Sequence, residues 1–142
     1  MKPAIISIKP EYINKIFAGK KTIEIRKKSV RMAPGTQLWL YATRPYARIA
    51  GVCKIKTIIR SHPDEIWTNY SGETGISYET FVKYVNGAKN ITAITLDTII
   101  AIDQSITLEK IRNQIQIFHP PQFFSYIEQD SPLWNLLQSI QV

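Results

Sequence analysis

Two long β-rich runs set the frame for this chain. RIAGVCKIKTIIR (48–60) and NITAITLDTIIAI (90–102) are each thirteen residues long and dense in β-branched side chains. Runs of that length suit central strands, because branched side chains fit a pleated surface covered by neighbours. Gly51 falls inside the first run, where glycine marks a bulge or a barrel bend. AIISI (4–8) and LWLYA (38–42) supply shorter strands. KTIEIRK (21–27) alternates cleanly, with Ile23 and Ile25 on one face and Thr22, Glu24 and Arg26 on the other.

Helical signals lie between these runs. In KPEYINKIFAG, Pro10 suits a first turn, Tyr12, Ile13, Ile16 and Phe17 recur at helical spacing, and Gly19 suits a left-handed stop. HPDEIWTNY (62–70) and SYETFVKYV (77–85) follow, the second with Ser77 as cap. TLEKIRNQI (107–115) and SPLWNLLQSI (131–140) begin with Thr107 and Ser131 as caps. HPPQFFSYI (119–127) cannot begin as regular helix, because Pro120 and Pro121 remove consecutive amide donors. The apolar stripes of these helices, with Trp67 and Trp134, are read as core. Which face of its strand Trp39 takes stays open. Five to six strands with short helices between them predict an α+β fold, a small mixed β-barrel forming one domain over residues 1–142.

The charge is divided unevenly. Residues 1–60 hold 14 lysines and arginines against two glutamates, a balance of +12, while residues 61–142 hold four against nine acids, −5. Such polarity points to an anionic partner, above all nucleic acid, whose counterions are released on binding. No apolar run approaches the roughly 20 residues that a membrane span needs, so no membrane partner is expected. The start, MKPAIISIKPEY, is broken by Lys9, Pro10 and Glu11 and reads as mature protein, with the cytoplasm as the expected location. The single cysteine, Cys53, cannot form an internal disulfide or anchor a multi-cysteine zinc site. It reads as a small buried hydrophobe. No metal and no cofactor are expected, and the oligomeric state is left open.

Gly19-Lys20-Lys21-Thr22-Ile23-Glu24-Ile25-Arg26 concentrates the chemistry. A helix stop running straight into a strand places Lys21 at the strand's entrance, overhanging a barrel mouth. Thr22, Glu24 and Arg26 then form a row of hydroxyl, carboxylate and guanidinium about 7 Å apart. The arginine fork suits a phosphate or a base edge, and the carboxylate accepts from an amino group. A solvated ion pair on an exposed strand face accounts for the same spacing.

The octapeptide resembles the G-x-K-x-x-E-x-R signature of the ASCH domain, a member of the PUA-like superfamily, with Gly19, Lys21, Glu24 and Arg26 at its fixed positions. SIKPEYINKIFAG (7–19), PGTQLWLYATRP (34–45), WTNYSGETGISYETF (67–81) and PPQFFSYI (120–127) are similar to further parts of that family, in order. The last resembles a prokaryotic branch often labelled transcriptional regulators. The resemblance implies a PUA-like barrel with a cleft that binds RNA or a nucleotide-like ligand. By position, Lys9, Lys21, Glu24, Arg26 and the Tyr41-Ala42-Thr43 segment face that cleft, and Arg44 reaches phosphate. Gln122, Phe123 and Tyr126 close it from the tail, while at least two of Phe123, Phe124 and Tyr126 pack against the barrel. DNA is the less favoured partner, since no separate helix-turn-helix domain fits in the chain.

The resemblance carries an enzymatic alternative, in which Lys21 and Glu24 are the catalytic residues. One branch resembles amidohydrolases of N4-acylated cytidine with a G-x-K-T-x-T-x-R motif. There lysine is the base, the second threonine the nucleophile, and a glutamate from the helical insert assists. This chain keeps Lys21 and has Glu73 near the insert position, but it places Glu24 where the nucleophilic hydroxyl stands. A metal-independent ribonuclease is the other variant, with Glu24 as base and Lys21 and Arg26 on the phosphate. His62 and His119 both precede prolines and are read as structural or solvated. Glu24→Ala is expected to harm ligand binding more than folding, provided that the side chain faces the cleft.

Overall fold

The structure, a computed structural model, describes residues 1–140. Its elements are β1 (Ala4–Ile8), α1 (Pro10–Phe17), β2 (Ile23–Arg26), β3 (Gln37–Ala42), β4 (Arg48–Ser61), α2 (Pro63–Tyr70), α3 (Tyr78–Val85), β5 (Ile91–Thr107), α4 (Leu108–Gln114), β6 (Phe124–Tyr126) and α5 (Pro132–Gln138). The six strands form one curled sheet in the order β2-β5-β4-β3-β1-β6. The two long runs, β4 and β5, lie side by side at its middle as an antiparallel ribbon. β1 and β3 are the parallel pair, with Ala4 opposite Leu38 and Ile8 opposite Ala42.

The helix signals have local physical causes. Ser77, Thr107 and Ser131 each accept an amide proton from the first turn of α3, α4 and α5. His62 does the same for α2, its Nδ1 accepting from the Asp64 amide at 3.1 Å. Gly19 ends the α1 region at φ +74°, the left-handed conformation that costs an L side chain most. The apolar side chains segregate into three groups. Ile6, Ile8, Leu38, Leu40, Cys53 and Ile94 fill the concave side of the sheet beneath α1. Ile5, Trp39, Tyr41, Val52, Ile111 and Leu137 pack on the other side under α4 and α5. Ile23 and Ile25 meet Ile66, Phe81 and Val85 of the α2–α3 unit.

β3 is therefore buried on both faces, and its alternation assigns Trp39 and Tyr41 to the α4–α5 side. The three-residue β6 pairs with β1 immediately after the Pro120-Pro121 stretch, a strand absent from the sequence reading. β5 also runs to Thr107, five residues past the predicted end, because β4 pairs with it as far as Arg48–Thr107.

The register between β4 and its neighbours slips between Ile49 and Gly51, the expected bend. A Cβ on Gly51 would fall 2.7 Å from the Ile100 carbonyl oxygen and 2.7 Å from the Phe17 ring. The carbonyl belongs to a paired strand and cannot retreat. Gly51→Ala is accordingly expected to cost about 1–3 kcal/mol by overpacking. A urea denaturation midpoint equal to that of the parent would show that the strand yields here.

Candidate functional site

At the C-terminal ends of β1 and β3 a cavity of about 380 Å³ opens beside the sheet. Its walls come from five parts of the chain. β1 and the α1 entrance give Ser7, Lys9 and Tyr12; the signature segment gives Lys21, Glu24 and Arg26. Thr43 and Gln122 follow β3 and precede β6, and the insert contributes Ile76, Thr80 and Tyr84.

The signature residues form a connected chain of charge. Glu24 is 5% exposed and sits between two cations. Its Oε1 lies 3.3 Å from the Lys21 ammonium, and its Oε2 accepts from Arg26 Nε at 2.9 Å and Nη2 at 2.6 Å. Lys21 is 2% exposed and donates to the Thr74 carbonyl at 2.6 Å, with its ammonium 5.0 Å from the centre of the Tyr12 ring. Arg26 Nη2 also donates to the Ser7 carbonyl at 2.7 Å, tying β2 to β1 across the curl of the sheet. The guanidinium lies 4.7 Å from the centre of the Phe123 ring. Burial pushes the Lys21 ammonium below its usual range, a tendency that the Glu24 carboxylate opposes. Burial, helped by Glu11 and Glu24, raises the Tyr12 phenol, so that it stays a neutral donor.

The insert is strapped over this row. Lys15 donates to the Gly75 carbonyl at 2.6 Å, and the Thr22 amide donates to the Glu73 carbonyl at 2.9 Å. Gly75 stands at φ +67°, and a Cβ there would fall 2.8 Å from Lys21 Cβ. The position thus needs glycine both for its backbone and for its closeness to Lys21.

Of the residues expected at the cleft, Lys9, Lys21, Glu24, Arg26, Thr43 and Gln122 are brought together around the cavity. Tyr41 is not among them. It points with Trp39 into the α4–α5 core, and burial raises its phenol against the pull of Arg112 and Arg44. Ala42 is likewise buried in the concave core. Arg44 is exposed in the turn beyond Thr43, outside the cavity wall. Phe123 packs against Arg26, but Tyr126 lies elsewhere, its hydroxyl donating to the Arg31 carbonyl. The Glu73 side chain is exposed and off the wall. Cys53 is buried in the core, and desolvation pushes its thiol up to about 12, so it is no nucleophile. His62 caps α2 and His119 is exposed, both outside the cavity.

Sequence reading missed Ser7, Tyr12, Thr80 and Tyr84. Ser7 had a signal, as the lone polar residue in an otherwise apolar strand; its Oγ donates to the Pro121 carbonyl at 2.6 Å and holds the tail beside the cavity. Thr80 and Tyr84 stand four apart on α3, a pairing hidden by the stronger Phe81–Val85 stripe. A second hollow of about 270 Å³ lies between α2 and α3, bounded by His62, Tyr78, Val82 and Lys89. No helix among the described residues is long and apolar enough to cross a membrane.

Comparison with known proteins follows the same lines. Residues 1–115 match the family described as Domain of unknown function (DUF365). A protein of Zymomonas mobilis named ASCH domain-containing ribonuclease is 30% identical over 129 residues, 91% of this chain and 86% of that protein. The crystal structure of ASCH from Zymomonas mobilis superposes with a TM-score of 0.89 at 28% identity, covering 99% of this chain and 96% of the other. Human THYN1, solved in complex with DNA containing 5-methylcytosine, shares the fold at a TM-score of 0.56 and 14% identity, over 100% of both chains. Likeness in sequence and a shared path of the backbone agree along nearly the whole length: the chain belongs to the ASCH domain family and has the PUA-like fold.

Proposed function

We propose that the cavity binds a nucleobase of RNA or of a nucleotide-like ligand, and that the protein is a binding module. The observation that carries this reading is the buried row of Lys21, Glu24 and Arg26 in the wall of a small open cavity. A base needs hydrogen bonds at its edge and apolar surface on its faces. The row offers the Nη1 end of Arg26, fixed in place by the bonds of Nε and Nη2 to Glu24 and Ser7, and Tyr12 and Tyr84 add aromatic surface. At about 380 Å³, the cavity lies at the small end of the roughly 300–1,000 Å³ typical of ligand pockets, a size suited to one base and its sugar. Lys9, exposed in the wall, is placed for a phosphate. The names of the relatives, a ribonuclease and a protein solved with DNA, support a nucleic-acid ligand.

The name of the Zymomonas relative also favours a second reading, cleavage of RNA. Lys21 is the group in the wall whose burial eases proton loss, whereas both oxygens of Glu24 are already held by Lys21 and Arg26. Hydrolysis of an N4-acylated cytidine is poorly served, because a carboxylate with both oxygens paired stands where that reaction uses a hydroxyl.

The test is fluorescence anisotropy with a mixed-sequence RNA at two salt concentrations, with mass spectrometry of the RNA afterwards. Contact with three phosphates would weaken binding about 20-fold between roughly 50 and 200 mM salt. Lys9→Gln, a change at an exposed side chain, is expected to weaken it about threefold to fivefold without altering the fold. Intact RNA supports the binding module and shortened RNA the second reading. Affinity indifferent to both salt and Lys9 would defeat the proposal.

A further inference from the structure

We propose that Lys15, which lies outside the cavity wall, is a positioning residue of the site: it latches the insert to α1, and the latch sets where the insert's share of the wall stands. Its ligand test rests on the base-binding reading; the latch itself does not. Three consecutive carbonyls of the insert each take a donor from α1 or the segment that follows it. The Glu73 carbonyl accepts from the Thr22 amide at 2.9 Å, the Thr74 carbonyl from the Lys21 ammonium at 2.6 Å, and the Gly75 carbonyl from the Lys15 ammonium at 2.6 Å. Lys15 is fixed at its backbone as well, where its carbonyl accepts from the Lys20 and Lys21 amides at 2.9 and 3.2 Å. One residue thus ties together the end of α1, the approach to β2 and the insert. Ile76, directly after Gly75, is in the cavity wall, and α3 brings Thr80 and Tyr84 to it. A shift of the bend at Gly75 therefore moves the insert's side of the wall.

Lys15 forms no ion pair among the described residues, so its bond to Gly75 places a backbone rather than neutralising an acid. The Lys15 and Lys21 ammoniums lie 5.9 and 5.0 Å from the centre of one ring, that of Tyr12. Two like charges are therefore held close together, each aimed at its own carbonyl of the bend. Lys21 feels its neighbour: burial lowers its ammonium most, Arg26 and Lys15 lower it further, and Glu24 opposes them. Supports of this kind decide whether a site is held within about 0.5 Å of its working geometry.

Three measurements on the full chain test the latch. Lys15→Met keeps an apolar stem and removes the donor. Hydrogen exchange at the Thr22 amide, which reports its bond to Glu73, is expected to quicken at least about tenfold. The Ile127 amide, bonded to the Pro3 carbonyl at 2.8 Å on the β6 side, should keep its parent rate. The Lys21 ammonium, followed by its side-chain resonance as pH rises, should titrate nearer its usual range, because a neighbouring charge is gone and the cover is loosened. Affinity for a mixed-sequence ribohexamer should fall about tenfold. Lys15→Arg, which keeps charge and donor, should restore the exchange rate and bring the affinity within about twofold of the parent. Lys20→Met, at an exposed lysine off the wall, is the charge control and should change the affinity less than about twofold. Four results overturn the proposal: Thr22 exchange unchanged in Lys15→Met, Thr22 and Ile127 quickening together, a loosened latch with affinity intact, or Lys20→Met as harmful as Lys15→Met. A hexamer that fails to bind the parent defeats the base-binding reading, and exchange and titration then decide the latch by themselves.

Discussion

Glu24→Ala is expected to cost about 3–5 kcal/mol of stability, the usual loss when one partner of a buried charge cluster is removed. The carboxylate is 5% exposed and is the acid that faces the Lys21 ammonium and the Arg26 fork. Lys21 is 2% exposed in the parent, and without Glu24 the Thr74 carbonyl is its remaining acceptor, with the Arg26 charge nearby. Loss of the carboxylate also moves the Lys21 ammonium further below its usual range, since Glu24 is the influence that holds it up. Pairing Glu24→Ala with Lys21→Met should recover much of the loss, because the uncompensated charge goes with its partner. Urea denaturation of the two single variants and the double variant measures the coupling. Stability unchanged in Glu24→Ala would mean that the row is solvated. This burial also revises the effect expected from sequence, in which ligand binding suffers more than folding.

Arg26→Lys should lower RNA affinity at least about tenfold, though it preserves charge, because a point-like ammonium cannot replace a planar fork. The guanidinium performs three tasks at once. It donates twice to Glu24 Oε2, donates to the Ser7 carbonyl at 2.7 Å, and presents its face to Phe123. A lysine can keep one of these contacts. Leaving the Ser7 carbonyl without its donor costs about 1–3 kcal/mol, a loss visible in the melting temperature. Phe123 then also loses the flat surface against which it packs. RNA affinity equal to that of the parent would show that charge alone matters at this position.

Much of the fold is written in local signals. The caps Ser77, Thr107 and Ser131, the stop at Gly19 and the two long β runs act within a few residues, so they survive being read without the rest of the chain. The signature residues were legible as a row because the strand period sets their common face. Their burial was not. Lys21 is 2% exposed only because the insert brings Thr74 and Gly75 over it, some fifty residues later. Tyr41 shows the opposite failure. Alternation puts it on the Trp39 face, but LWLYA is apolar on both faces, so the period alone cannot tell cleft from core. That decision is made by α4 and α5, which cover the outer face. β6 was hidden behind two prolines and exists through three residues of pairing with β1.

The central claim is that nucleic acid enters the cavity holding Lys21, Glu24 and Arg26. Amide chemical shifts of the labelled protein, followed during titration with the mixed-sequence ribohexamer, test it most directly. The account predicts saturable shifts concentrated at Lys9, Arg26, Thr43, Thr80 and Gln122. Shifts gathered instead around His62, Tyr78, Val82 and Lys89, with the cavity residues unmoved, would place the ligand in the hollow between α2 and α3 and contradict it.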